Sequence, residues 1–166
     1  MIKLGISACL LGQNVRYDGG HQHDRFLTDT LGRFVTYVSV CPEVECGLSV
    51  PREPMRLVGT ADSPRLLTIS TKKDQTEQMM SWARKRVQEL ESKDLRGFIF
   101  KSKSPSCGMR CVKLYSDLDV EPVHKGIGVF VRAFKEHFPS VPCEEDESLY
   151  DEVLREKFLE RVGAIV

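Results

Sequence analysis

The sequence predicts a small α/β domain of the doubly wound, Rossmann-like kind, in which helices flank a mainly parallel sheet. Short apolar segments alternate with amphipathic ones, as strands and helices alternate in βαβ units. The chain has 166 residues, which suits a single domain with a buried core. The end of the chain has a helical pattern of its own. We therefore expect the domain over residues 1–138, with a linker and a C-terminal helical appendage over residues 139–166.

Five segments have the length and composition of strands. Residues 3–9 and 97–100 are short apolar runs, the pattern of buried strands in a parallel sheet. Residues 34–40 are rich in β-branched and aromatic side chains. Two further candidates are residues 66–71 and 112–115. Loops rich in glycine or proline follow the strands at 3–9, 34–40 and 97–100.

Four segments predict helices. In the longest, residues 74–92, Met79, Ala83 and Val87 fall on one face. The other three are residues 24–33, 126–138 and 148–162. The stretch at 139–147 (PSVPCEEDE) predicts a linker by its composition.

Charge and hydropathy exclude several classes of protein. Lys and Arg total 24 and Asp and Glu total 24, so the net charge of zero disfavours a nucleic-acid partner. No apolar run approaches the roughly 20 residues that a membrane helix needs, so we expect no membrane contact. The first residues lack the pattern of a signal peptide, and we therefore expect a cytoplasmic protein.

The six cysteines are the unusual feature of the composition. In a reducing cytoplasm, thiols are kept free, so metal binding or catalysis becomes the better explanation for them. Cys9 and Cys41 end predicted strands, and Cys107 lies in the loop after residues 97–100. Because parallel strands have their carboxyl ends at one edge of the sheet, we expect these three thiols to converge in one crevice.

Three convergent thiolates suit more than one group. Structural zinc prefers four protein ligands, and a 4Fe-4S cluster that only carries electrons also takes four thiolates. With three thiolates, one iron is free to bind a substrate, and a soft donor such as sulfur suits it. Alternatively, Cys9 and Cys41 are small buried hydrophobic residues without a ligand. The spacing of the cysteines leaves these alternatives open.

Three motifs carry a resemblance to a known family. The segments ISACLLGQNVRYDGG, VCPEVECGL with VPREPMRL, and KSKSPSCG resemble, in order, those of the bacterial thiouracil desulfidase family, and the likeness spans roughly residues 3–135. It implies a 4Fe-4S cluster held by Cys9, Cys41 and Cys107, with one iron not ligated by protein. It also implies that this iron binds the sulfur of a thiolated substrate beside an acid/base pair, Glu43 and Ser104.

The resemblance implies an enzyme that removes sulfur from a thiolated small molecule, most simply a thiouracil-like base. Water would cleave the C–S bond to give the oxo product and hydrogen sulfide without net redox. Two other functions stay open, namely a sulfur carrier or transferase that uses the cluster, and a zinc-binding module without catalysis. Cys46 and Cys111 are additional thiols, and either could close the fourth position of the cluster. The tail at 148–162 resembles the junction to a second domain in longer relatives.

Charged and aromatic residues next to these motifs are further candidates for the site. Arg16, Tyr17 and Asp18 could contact a uracil-like ring or a phosphate, or form a self-stabilised surface loop. Arg52 either faces the substrate or forms a structural ion pair. Lys101 and Lys103, which precede Ser104, either balance the negative charge of the thiolates or are solvated. The histidines at 21 and 23 are expected to be solvated, and Cys143 to take no part in the site.

Overall fold

A computed structural model describes residues 1–116 and 121–166 of the chain. Within these ranges the strands are β1 (Ile2–Ser7), β2 (Val35–Val40), β3 (Met55–Gly59), β4 (Pro64–Thr68), β5 (Leu95–Phe100), β6 (Val112–Tyr115), β7 (Val123–Gly126) and β8 (Cys143–Glu145). The α-helices are α1 (Pro42–Glu45), α2 (Thr76–Leu90), α3 (Val129–His137) and α4 (Glu152–Val162). No helix in the described ranges is long and apolar enough to cross a membrane.

The predicted parallel sheet is present, in the strand order β2-β1-β5-β8. All three neighbouring pairs are parallel, so the carboxyl ends of its strands share one edge. The central strand β1 pairs with β2 from Ile2 opposite Val35 to Ser7 opposite Val40. A Cβ atom at Gly5 would overlap the ring of Phe98, so only glycine leaves room for that ring against β1.

Helices cover both faces of this sheet, which confirms the predicted α/β class. On one face, α2 and α3 pack an aromatic core against β5, in which the rings of Phe98 and Phe100 are stacked at 4.2 Å. On the other face, three short helical turns between β1 and β2 and the C-terminal helix α4 cover Leu4 and Ile6. The predicted C-terminal helix is therefore present, and its Phe158 is buried against the sheet.

A second, smaller sheet lies beside the first, in the order β4-β3-β6-β7. It is mixed, because β3 pairs with β6 in parallel while β4 and β7 are antiparallel edge strands. Its inner face packs Leu57, Leu66 and Leu114 against Met79 of α2. The sequence predicts β4 and β6 but not β3 or β7, so it does not reveal that these segments form a separate sheet.

Several elements differ in type or bounds from the sequence prediction. The strand predicted at 66–71 is Pro64–Thr68, and the helix predicted from residue 148 begins at Glu152 after a 3-10 turn. The strand predicted at 3–9 ends at Ser7, and Cys9 lies in a 3-10 turn that follows it, Ala8–Leu11. The helix predicted at 24–33 is a π-helical turn, Phe26–Thr30, followed by a 3-10 turn. The helix predicted from residue 126 begins at Val129, because Gly126 is still the last residue of β7 and Gly128 is the N-cap of the helix.

The segment at 139–147 also differs from its prediction. Its composition predicts a linker, whereas the structure has β8 there, with Cys143 paired to Phe98 and Glu145 to Phe100. A short strand with two glutamates is hard to recognise, because only its position at the edge of the sheet allows those side chains to reach polar partners. The division of the chain after residue 138 stays a prediction.

Candidate functional site

The three cysteines named from the sequence line one cavity of about 390 Å³ at the carboxyl edge of the parallel sheet. Cys9 lies in the 3-10 turn after β1, and Cys41 directly follows β2. Cys107 lies in the loop after β5. The parallel order of β2, β1 and β5 therefore brings together thiols that are far apart in sequence. Their role as ligands stays a prediction.

The start of α3 fixes the loop that carries Cys107. The backbone N–H groups of Gly128, Val129 and Phe130 donate to carbonyls in this loop at 2.8 to 3.1 Å. A Cβ atom at Gly128 would lie 2.5 Å from the Ser106 carbonyl, so only glycine allows the loop and the helix to approach so closely. The position of Cys107 thus depends on a helix more than 20 residues further along the chain.

The thiols are shielded from water, which disfavours their charged form. Burial raises the pKa of Cys9 to about 11, while the nearby Arg16 and Lys101 act in the opposite direction. Burial likewise raises the pKa values of Cys107 and Cys41. Without a metal the three thiols are therefore protonated at neutral pH, and binding a metal would displace their protons.

Glu43 extends its carboxylate into the same cavity from the first turn of α1. Its Oε1 accepts a hydrogen bond from Arg52 Nε at 2.9 Å, and its Oε2 accepts one from Ser106 Oγ at 3.0 Å. Arg52 also donates to the backbone carbonyls of Val15 and Ser49. Both carboxylate oxygens are thus held in place, and Arg52 both lines the cavity and forms an ion pair.

Ser104 lines the cavity in the loop after β5. Its Oγ accepts hydrogen bonds from the backbone N–H groups of Ser106, at 3.2 Å, and Cys107, at 3.0 Å. The Oγ atoms of Ser104 and Ser106 are also 3.0 Å apart. Ser104 and Glu43, the two residues named as an acid/base pair, are therefore connected through Ser106.

Two further residues, Ser106 and Asp146, contribute to the site, and the sequence did not predict either of them. Ser106 belongs to the SPSCG motif, which was the available signal. Asp146 holds Lys101 at the cavity, with 3.2 Å between Lys101 Nζ and Asp146 Oδ2. It lies in the segment predicted as a linker, so nothing in its local pattern pointed to the site.

The other residues named from the sequence are divided between the cavity and the surface. Arg16, Tyr17 and Lys103 line the cavity, although Lys103 is largely exposed and pairs with Glu147 at 3.4 Å. Asp18 is not among the lining residues; its side chain accepts a hydrogen bond from the backbone of Gly20. The histidines at 21 and 23 are exposed.

The additional cysteines do not line the cavity in the described part of the chain. The thiol of Cys46 donates to the backbone carbonyl of Glu43 at 3.3 Å, and Cys111 is exposed. Cys143 is buried on β8. Among residues 1–116 and 121–166, no three His, Cys, Asp or Glu side chains are arranged to hold a single metal ion. Cys9, Cys41 and Cys107 therefore share a cavity without meeting at one point.

Comparison with known proteins gives a family match over most of the chain. The model of the 2-thiouracil desulfurase family matches residues 4–146, a range that contains all five residues named above as ligands or as an acid/base pair. The chain is 31% identical over 108 residues to the uncharacterized protein YbbK of Bacillus subtilis (strain 168), covering 62% of this chain and 71% of YbbK. The fold is similar to a solved structure of the 4Fe-4S-dependent thiouracil desulfidase TudS. That match has a TM-score of 0.70 and 26% identity, and it covers 95% of this chain and 99% of TudS.

Proposed function

The chain belongs to the 2-thiouracil desulfurase family, which confirms the resemblance carried by its three sequence motifs, and we propose that it removes sulfur from a thiouracil-like base with the help of an iron–sulfur cluster. The observation that carries this proposal is the shared cavity. Thiols that suit an iron–sulfur cluster lie there beside a carboxylate and a hydroxyl that suit proton transfer.

Cys9, Cys41 and Cys107 are the residues that would hold a 4Fe-4S cluster. The donor set fits this group, because thiolates are its usual ligands and these three thiols line one cavity. No fourth cysteine of the described residues lines it, so one iron would be left without a protein ligand. When bound, the cluster would supply a Lewis acid that draws electron density from a thiocarbonyl group through its sulfur.

Glu43 is the group that we assign to activate water. Its carboxylate is held by Arg52 and Ser106 rather than left free to rotate, so it can be aimed at one position in the cavity. There it would accept a proton from a water molecule as that water attacks the ring carbon bearing the sulfur.

Ser104 is the group that we assign to deliver a proton to the substrate. Its hydroxyl lies at the cavity, and two backbone N–H groups hold its oxygen in place. Over the whole reaction, a thiocarbonyl group and water give a carbonyl group and hydrogen sulfide. No electrons enter or leave, so the enzyme needs neither an oxidant nor a reductant.

The substrate in this proposal is a small thiolated base, held by the loop that follows β1. Arg16 and Tyr17 line the cavity and are suited to contact a polar heteroaromatic ring. A volume of about 390 Å³ is within the usual range for small-molecule sites. We propose the cytoplasm as the location, since its reducing conditions keep such thiols available for a cluster.

The experiment that tests the proposal is turnover by protein reconstituted with iron and sulfide in the absence of oxygen. With 2-thiouracil as substrate, we expect uracil and sulfide in equal amounts. The variant Glu43→Ala should lose at least about 100-fold in kcat, the usual contribution of a general base, while it keeps its iron content. Glu77→Ala is the control, because Glu77 is an exposed carboxylate of α2 that pairs with Arg65 and is not among the cavity-lining residues.

Two results would contradict the assignment in different ways. Full activity in Glu43→Ala would remove Glu43 from its role. Sulfide that stays on the protein until an acceptor is added, with no release in its absence, would instead favour the sulfur carrier.

A further inference from the structure

A continuous line of hydrogen bonds connects the two groups assigned to proton transfer, and Ser106 is its middle member. Ser106 Oγ lies 3.0 Å from Glu43 Oε2 and 3.0 Å from Ser104 Oγ. The Ser106 side chain is buried, with the residue only 2% exposed. Water therefore has little access to this hydroxyl. Besides these two side chains, the hydroxyl contacts the thiol of Cys107, at 4.0 Å.

The protonation state of Glu43 sets the direction of these hydrogen bonds. While Glu43 is ionised, Ser106 donates its hydrogen to the carboxylate. Once Glu43 has taken up a proton, Glu43 donates to Ser106 Oγ, and Ser106 turns its hydrogen to Ser104 Oγ; either of these two oxygens can be the donor. The hydrogen of Ser104 is then free to point toward the cavity that Ser104 lines.

We propose that Ser106 is a positioning residue that passes a proton between Glu43 and Ser104, a role that rests on the function proposed above. A proton taken from water by Glu43 moves from Oε2 to Ser106 Oγ. The proton of Ser106 moves to Ser104 Oγ, and that of Ser104 moves to the substrate. Each serine loses one proton and gains one, so the net change is one proton carried from water to the substrate.

The backbone contacts of Ser106 separate this role from a purely structural one. Its carbonyl accepts a hydrogen bond from Phe130 N–H at 3.0 Å, and its own N–H donates to Ser104 Oγ. These contacts hold the loop without the Ser106 hydroxyl. Replacing the hydroxyl with hydrogen, as in Ser106→Ala, should therefore break the relay and leave the loop in place.

The test is a double-mutant cycle on the reconstituted protein. We expect Ser106→Ala to lower kcat by about 10- to 100-fold, with KM and iron content unchanged. Because Ser106 acts through Ser104, the double variant Ser104→Ala/Ser106→Ala should be no slower than Ser104→Ala alone. Thr68→Val is the matched control, since it removes a buried hydroxyl from the second sheet and should leave kcat unchanged.

A measurement on the unaltered protein covers the case in which Ser106→Ala fails to fold. We expect kcat in mixtures of H₂O and D₂O to follow a curved line against deuterium content, because several protons move together. A straight line would overturn the relay, as would wild-type kcat in Ser106→Ala or a double variant slowed by the product of the two single effects. If the reconstituted wild-type protein has no turnover at all, the proposed function itself has failed.

Discussion

The ion pair between Glu43 and Arg52 shows how one residue can serve both the fold and the site. Both side chains are largely buried, with 16% and 8% exposure. Besides Glu43, the Arg52 guanidinium binds the carbonyls of Val15 and Ser49, so it ties the loop after β1 to the segment after α1. The two sequence-based alternatives for Arg52, lining the substrate site and forming an ion pair, are therefore compatible in one position.

Replacing Arg52 should cost stability because it leaves a partly buried carboxylate without its counter-ion. We expect Arg52→Ala to lower the free energy of unfolding by about 3 kcal/mol, as for other broken buried ion pairs. Arg65→Ala is the matched control: its partners Asp74 and Glu77 are exposed, so the loss should be much smaller. Urea unfolding of the cluster-free variants measures both values, and equal losses would contradict the structural role of Arg52.

Among the elements, the C-terminal helix α4 contributes directly to the main core. Phe158 and Val162 are buried with Leu4 and Ile6 of β1, on the face opposite to α2 and α3. Asp151 is its N-cap, with a side chain that accepts a hydrogen bond from Leu154 N–H, and Gly163 is its C-cap, in a left-handed conformation. Both ends are therefore well defined, and the helix covers one side of the sheet that supports the site.

A pair of substitutions on α4 tests its contribution. We expect Phe158→Ala to lower the free energy of unfolding by about 4 kcal/mol, through lost burial and the cavity left behind. Val153→Ala, on the exposed side of the same helix, should change it by about 0.5 kcal/mol or less. Thermal or urea unfolding followed by circular dichroism gives both values. A small effect of Phe158→Ala would mean that α4 is not needed to cover the sheet.

A helix or strand could be predicted where its environment in the fold requires a recognisable local pattern of residues. The strands β1, β2 and β5 are buried within a parallel sheet, so their apolar runs could be recognised. By contrast, β8 has three residues and two glutamates, and it is a strand only because β5 offers it an edge. Strand β3 follows a proline-rich loop, and its pairing with the distant β6 leaves no local signal.

On the scale of the whole molecule, the site lies at the point in the parallel sheet where the order of the strands reverses. From β1 the chain first adds β2 on one side and later adds β5 and β8 on the other. The loops after β1 and β5 diverge at this point, and such crevices are the usual ligand sites of open α/β sheets. Cys9 and Cys107 lie in those two loops, which is why strand order alone could place them in one crevice.

The hydrogen bonds within the site could not be predicted in the same way. Glu43 and Ser106 are 63 residues apart in sequence, and their contact depends on α3 holding the loop around Cys107. Asp146 reaches Lys101 only because β8 joins the sheet. Sequence patterns therefore predicted thiols and a carboxylate that line one cavity, whereas the contacts that orient them depend on tertiary packing.

The most direct test of the central claim is the iron content and visible absorbance of cysteine variants reconstituted without oxygen. We expect about four irons per chain in the wild-type protein and in Cys46→Ala and Cys111→Ala, whose thiols do not line the cavity. Cys9→Ala, Cys41→Ala and Cys107→Ala should each lose the cluster. Wild-type protein that takes up no iron, or a cluster that is lost in Cys46→Ala or Cys111→Ala but kept in Cys9→Ala, would contradict a cluster held by these three cysteines.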